Sequence, residues 1–192
     1  MAGETINEAY VSAGKPKVGG AIFVADTDAT LPTSATATLA SGFEGLGYCE
    51  ESGVTQSRSS STDSANAWGG DKVLITETDT EETTQFTLIE VMNINVLKEV
   101  FGADNVSGTL ETGITIQSGA DSHKARAWVI DMVLKNDALK RIVIPKGTVT
   151  EIGDVVYNDT DPIGYPITIT AASDSSGNYH YEYIQAAGSS GT

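Results

Sequence analysis

The stretch Trp68-Gly69-Gly70-Asp71-Lys72-Val73-Leu74-Ile75-Thr76-Glu77-Thr78-Asp79-Thr80-Glu81-Glu82-Thr83-Thr84-Gln85-Phe86-Thr87-Leu88-Ile89-Glu90 decides how this chain is read. Val73–Thr76 and Gln85–Ile89 are short apolar runs with β-branched residues, and each reads as a strand. Between them Glu77–Glu82 places four carboxylates in six residues with no base, which reads as an acidic hairpin turn. Charged turns keep strand edges from aggregating, and for a monomer that would suffice as an explanation. Val91 to Phe101 follows as the best helix candidate. Val91, Ile94, Lys98 and Phe101 fall along one side, adjoined by Leu97, and Gly102 stands where a helix needs a left-handed terminating residue.

Downstream the chain reads as strands: Thr109–Gln117, Ala125–Leu134, Ala138–Pro145, Thr148–Tyr157, Tyr165–Ala172 and Tyr179–Ile184. Ala125–Leu134 has apolar residues on both alternating faces, as in a strand buried on both sides, except at Asp131. Lys135-Asn136-Asp137 and Asp174-Ser175-Ser176-Gly177-Asn178 supply turns. Upstream, residues 1–16 are small and polar and read as an arm. Lys17–Ala25 and Phe43–Glu50 read as strands, and a Thr/Ala-rich connection lies between them. Ser52–Gly70 is dominated by Ser, Thr, Asn and Gly, with Val54 and Trp68 its only large apolar residues; it reads as a long loop, floppy or ordered against another subunit. The tail at 187–192 is expected to be disordered. Nine or ten strands with one short helix describe a mainly β single domain over 1–192, an antiparallel β-sandwich or flattened barrel.

The 192 residues carry 26 Asp and Glu against 11 Lys and Arg, a net charge of −15. Tight nucleic-acid binding is disfavoured, because affinity for DNA rests on cations displacing counterions. A wall that DNA slides past without sticking is compatible with it. Solubility alone explains the acidity about as well. One cysteine, Cys49, permits no internal disulfide. The N-terminus has no secretory signal, and no apolar run approaches the roughly 20 residues that span a bilayer. The chain is therefore expected to fold in the cytoplasm.

Chemistry finds little support. His123 and His180 lack metal-ligand spacing and read as surface residues. Cys49 is flanked by Glu50 and Glu51, whose charge suppresses a thiolate. Asn158-Asp159-Thr160-Asp161 loosely resembles a calcium loop, without its glycine and distal glutamate, and reads as a turn. No phosphate-binding loop, nucleophile elbow or dinucleotide fingerprint occurs. No catalytic residue, metal or cofactor is expected.

The order of these features resembles the major tail tube proteins of long-tailed, siphovirus-like bacteriophages. The resemblance lies in the 68–102 stretch, with Leu88-Ile89-Glu90 before the helix and Phe101-Gly102-Ala103 closing it. It continues in Arg126-Ala127-Trp128-Val129-Ile130-Asp131, Lys140-Arg141-Ile142-Val143-Ile144-Pro145 and Asp161-Pro162-Ile163-Gly164-Tyr165-Pro166-Ile167-Thr168-Ile169-Thr170-Ala171. It covers most of residues 65–178, and each motif is degenerate alone. It implies a sandwich flanked by one helix, with six subunits joined edge to edge into rings. These rings stack into a hollow tube around a tape measure protein, between tail terminator and distal or baseplate proteins. Double-stranded DNA later passes through without sticking. The virion tail is then the location, with assembly in the host cytoplasm. By position, Glu77, Asp79, Glu81 and Glu82 would face the lumen. Val54, Gln56, Arg58, Asp63 and Trp68 would belong to a ring-stacking loop over 52–70. Ile6, Tyr10 and Val11 would belong to an inter-subunit arm. The helix is placed at 91–101.

Two rivals stand beside this. The inner tube of a contractile tail or secretion-type injection machine shares the architecture. A monomeric carbohydrate-binding or adhesion sandwich would need clustered exposed aromatics, and only Tyr179, Tyr181 and Tyr183 come close.

Overall fold

A computed structural model of the chain describes residues 6–119 and 123–186. The start of the arm and the 187–192 tail lie outside the described residues. In chain order the elements are β1 (Lys15–Pro16), β2 (Ile22–Asp26), β3 (Glu44–Gly45), β4 (Cys49–Asn66), β5 (Lys72–Leu88), α1 (Ile94–Phe101), β6 (Val106–Thr109), β7 (Gly113–Ile116), β8 (Arg126–Val133), β9 (Leu139–Ile152), β10 (Tyr165–Ala171) and β11 (Tyr181–Gln185). Every pairing is antiparallel. The strands run in the order β3-β2-β8-β9-β10-β5-β4, with β1 added on β8, β11 on β9, and β6-β7 as a separate hairpin. The path does not close into a barrel among the described residues, and the fold is a mainly β sandwich with one helix.

β9 belongs to both halves of the sandwich. Its Leu139–Ile144 half pairs with β8 and β11, and its Gly147–Ile152 half pairs with β10. The segments 138–145 and 148–157, which read as two strands, are one strand continuing through Pro145. Gly147 is required at the corner. A Cβ there would lie 2.6 Å from Ile169 and 2.9 Å from the Trp128 ring, and Trp128 Nε1 donates to the Gly147 carbonyl at 3.0 Å. Around Trp128 the core gathers Ile22, Val24, Leu46, Leu88, Ile130, Ile144, Ile167 and Ile169, all buried. Phe86 meets Trp128 edge-on, with centroids 6.1 Å apart.

α1 starts at Ile94, later than the 91 expected, because Asn93 caps it: Asn93 Oδ1 accepts from Asn95 N at 3.0 Å. Gly102, at φ 91°, ends it as expected. The buried stripe is Val96, Leu97 and Val100, whereas Lys98 stays half-exposed. Ile94 and Phe101 of the expected face are partly buried against the same core, so the buried stripe is centred on Val96, Leu97 and Val100 and extends to them. β8 is buried from Ala127 through Asp131, as its two-sided apolar pattern requires. The 109–117 strand is instead the short hairpin β6-β7, turning over Leu110–Thr112. The Phe43–Glu50 strand shrinks to the two residues of β3 and the start of β4.

The largest departure is in the stretch that decided the reading. Lys72–Leu88 is one continuous strand, and Glu77–Glu82 sits in its middle instead of forming a turn. Ser52–Gly70 is not a loop, because residues through Asn66 form β4, paired along β5. The turn lies at Ala67–Asp71, where Ala67 N donates to Asp71 O (2.8 Å) and Gly69 and Gly70 take φ of 124° and 98°. Polar residues on both faces gave no alternation to read. Outside the core a ribbon needs only its ladder hydrogen bonds.

Candidate assembly surface

From Thr55 to Asp79 every residue is exposed. The outer part of β5, from Lys72 to Glu81, therefore projects about 30 Å beyond the sandwich at a strand's rise per residue. At its tip Trp68 is fully exposed, and Val73, Leu74 and Ile75 are each more than half exposed. Large apolar side chains exposed this far from the core mark a candidate surface for a partner chain. Along β5 the even-numbered Glu82, Thr84, Phe86 and Leu88 are buried. Asp79 and Glu81 alternate to the other face, opposite Ser61 and Ser59. A bulge between Ser61 and Thr62 lets Thr78 Oγ1 reach the Ser61 carbonyl at 3.1 Å.

Glu82 therefore stands apart from Glu77, Asp79 and Glu81: its side chain is buried within the chain, whereas theirs are not. It is 5% exposed, with His180 Nδ1 2.6 Å from Oε2 and Arg58 Nε 3.5 Å from Oε1. Arg58 lies directly across the ladder from Glu82. This cluster ties the point where the ribbon leaves the sandwich to the segment entering β11. His180, which read as a surface residue, is half-buried here. Ninety-eight residues separate the pair, and no local pattern in the sequence signals their meeting.

Of the expected ring-stacking residues, Val54 packs against the core and Arg58 serves the Glu82 cluster. Gln56, Asp63 and Trp68 are exposed on the ribbon. Among the described residues β1, β3, β4, β6, β7 and β11 each have a single partner strand, and β4, over 18 residues, is the longest of these open edges. A long unpaired edge is a template for another chain.

The arm lies along the β8–β9 turn. β1 pairs with β8, Lys135 N donates to Ser12 Oγ at 2.7 Å, and Lys135 Nζ donates to Glu8 O at 3.2 Å. Ile6, Tyr10 and Val11 all point into solvent. Behind the arm, Asp131 and Arg141 face one another across β8 and β9 in a buried bidentate pair, at 2.6 and 2.7 Å. Arg141 Nη1 also donates to the carbonyls of Ser34 (3.1 Å) and Ala37 (2.6 Å), fixing the β2–β3 connection. The two positions are symmetric about the Lys135–Asp137 turn, so a hairpin reading of that turn could have paired them.

Other titratable groups serve structure. Burial, and then the Glu90 carboxylate, push the Cys49 thiol up to about 11; the expected Glu50 and Glu51 are not the cause. Glu90 accepts from Tyr48 N and Asn93 Nδ2, both at 3.1 Å, against Gly47, where a Cβ would overlap its carboxylate. A cavity of about 300 Å³ at the α1 end has Asp26, Glu99, His123, Lys124 and Arg126 among its lining. Burial raises the Glu99 carboxyl, opposed by Arg126. Asn158 Oδ1 accepts from Thr160 N and Asp161 N, the turn expected there. Among the described residues no three His, Cys, Asp or Glu are placed to hold a metal ion, and no helix is long and apolar enough to cross a membrane.

A sandwich with open edges, a projecting ribbon with an apolar tip and an exposed arm belongs to the class of self-assembling structural proteins. The phage tail tube protein family model matches residues 7–190, nearly the whole sequence, and the chain belongs to that family. It is a structural, non-enzymatic protein of the virion tail that assembles into a tube. No curated protein was found to match it.

Proposed function

We propose that six copies close into a ring, that rings stack around a tape measure protein, and that the tube then conducts double-stranded DNA into the host cell. The observation that carries this reading is the ribbon, with one unpaired 18-residue edge and an apolar tip, each in need of a partner chain. Head-to-tail contacts between identical copies close into a ring when their rotation closes. Glu77, Asp79 and Glu81 lie on the ribbon away from the buried cluster and contribute an anionic lining. Phosphates passing within about 8 Å, the Debye length at physiological salt, are repelled instead of held. The tail terminator and distal or baseplate proteins cap the ends of the stack.

Negative-stain electron microscopy of the concentrated protein tests this. Hollow tubes built from six-fold rings are expected, and a chain that stays monomeric at every concentration refutes the reading.

A further inference from the structure

We infer that Glu99 and Arg126 form a proton-controlled latch that holds α1 and the β6–β7 hairpin more tightly to the sandwich in mild acid than at neutral pH. The latch works within one chain and does not depend on the tube reading.

α1 is held to the sheets mainly by apolar packing. Val96, Leu97 and Val100 are buried, and Val106 at the start of β6 joins the same core. Asn105 Nδ2 donates to the Phe101 carbonyl at 2.8 Å, which couples the helix end to the start of the hairpin. The helix's one ion pair among the described residues is made by Glu99. Its side chain is 12% exposed, and Arg126 Nε of β8 lies 3.3 Å from its Oε1. That contact is poorly made. Arg126 Nε is buried without a hydrogen-bond partner, while Arg126 Nη1 donates to Asp26 of β2. Glu99 accepts no hydrogen bond from the described residues.

A carboxylate withdrawn from water without hydrogen bonds is costly as an anion and tolerable as a neutral acid. Asp26 of β2 and Glu44 of β3 add like charge, and against them stand Arg126 and the adjacent Lys98. Burial is the largest of these influences, and the balance lifts the Glu99 carboxyl above its ordinary 4.5. Glu99 lines the cavity of about 300 Å³ at the α1 end, whose wall also carries Asp104, His123 and Lys124. A polar space of that size admits water, which delivers the proton. Asp104 and Lys124 face each other at 3.8 Å with side chains 87% and 81% exposed, so solvent screens both. The folded chain therefore binds this proton more tightly than the unfolded chain, and protonation stabilises the packed helix. The gain is complete below 4.5 and is lost as pH rises through the folded value. Once protonated, Glu99 no longer competes with Asp26 for Arg126, and the guanidinium is left to tie β8 to β2.

Native-state amide hydrogen exchange of the full chain, kept dilute, tests this in the wild type and in Glu99→Gln. Rates are corrected for the intrinsic effect of pH and referred to the β8 and β10 amides. From about pH 7.5 to about pH 5.5 the wild-type protection of residues 96–101 should rise, by at most about tenfold per pH unit, the slope of a single proton. Glu99→Gln keeps the neutral shape at every pH. It should be flat over that range and several-fold better protected than the wild type at the neutral end. Parallel profiles for the two chains, or a variant less protected than the wild type at neutral pH, overturn the latch. The carbon-13 carboxyl signal of Glu99 reads the same group without a substitution. Titration above 4.5 is expected, and titration at or below that value overturns the inference.

Discussion

His180 Nδ1 lies 2.6 Å from Glu82 Oε2, across 98 residues of sequence and at the point where the ribbon leaves the sandwich. The carboxylate is buried, so its partners are what make its charge tolerable there. His180→Ala leaves the buried carboxylate with only the exposed Arg58 beside it and should cost about 2–4 kcal/mol, while Glu82→Ala removes the buried charge itself, leaves two water-accessible partners and should cost about 1–2 kcal/mol. Urea denaturation of both variants gives the order. Equal and negligible losses would show that the cluster holds nothing.

The Asp131–Arg141 pair is buried and bidentate, and Arg141 also holds the Ser34 and Ala37 carbonyls. Removing only the carboxylate leaves a buried guanidinium with backbone acceptors alone. Asp131→Ala should therefore destabilise by about 3–5 kcal/mol, whereas an apolar pair at both positions should cost much less. A double-mutant cycle by thermal unfolding separates the two.

Cys49 should be chemically quiet in the folded chain. Its thiol is pushed up to about 11 by burial and by Glu90, and alkylation proceeds through the thiolate. At pH 8 the thiolate is then on the order of a thousandth of the population, against about a quarter for a free thiol of ordinary pKa. Maleimide labelling should be slow in buffer and fast in denaturant. Rapid labelling of the native chain would contradict the burial.

Asp174 is held below its ordinary value, chiefly by the Tyr181 hydroxyl (2.6 Å), with the backbone N–H groups of Asn178, Ser176 and Gly177 adding to it. For a carboxyl depressed in the folded state, the stabilisation is present above the unfolded value of 3.8 and is lost as pH falls through the folded one. Thermal unfolding below pH 4 should show Asp174→Asn losing less stability than the wild type. Parallel curves for the two chains would remove Asp174 from the turn's support.

The readable parts of the sequence were those facing the core. β8 announced itself through apolar residues on both faces, β10 through its Ile-Thr alternation, and α1 through its spacing and Gly102. The assembly surface was legible only as composition: acids in β5, serines in β4 and small residues in the arm. Glu82 looked like its acidic neighbours, and His180 like a surface residue. Only the β5–β11 juxtaposition separates them from that reading.

The sequence by itself determined a β-rich domain with one short helix, the places of β2, β8 and β10, and a family resemblance that the match over residues 7–190 bears out. Those features depend on local periodicity, which burial on one side of a strand or helix imposes residue by residue. Tertiary structure alone decided that Cys49–Asn66 is a strand, that Glu77–Glu82 is its neighbour's middle instead of a turn, and which carboxylates are buried. A ribbon outside the core is held by backbone hydrogen bonds, which every sequence can make, and a buried ion pair is set by distances between elements that no local pattern encodes.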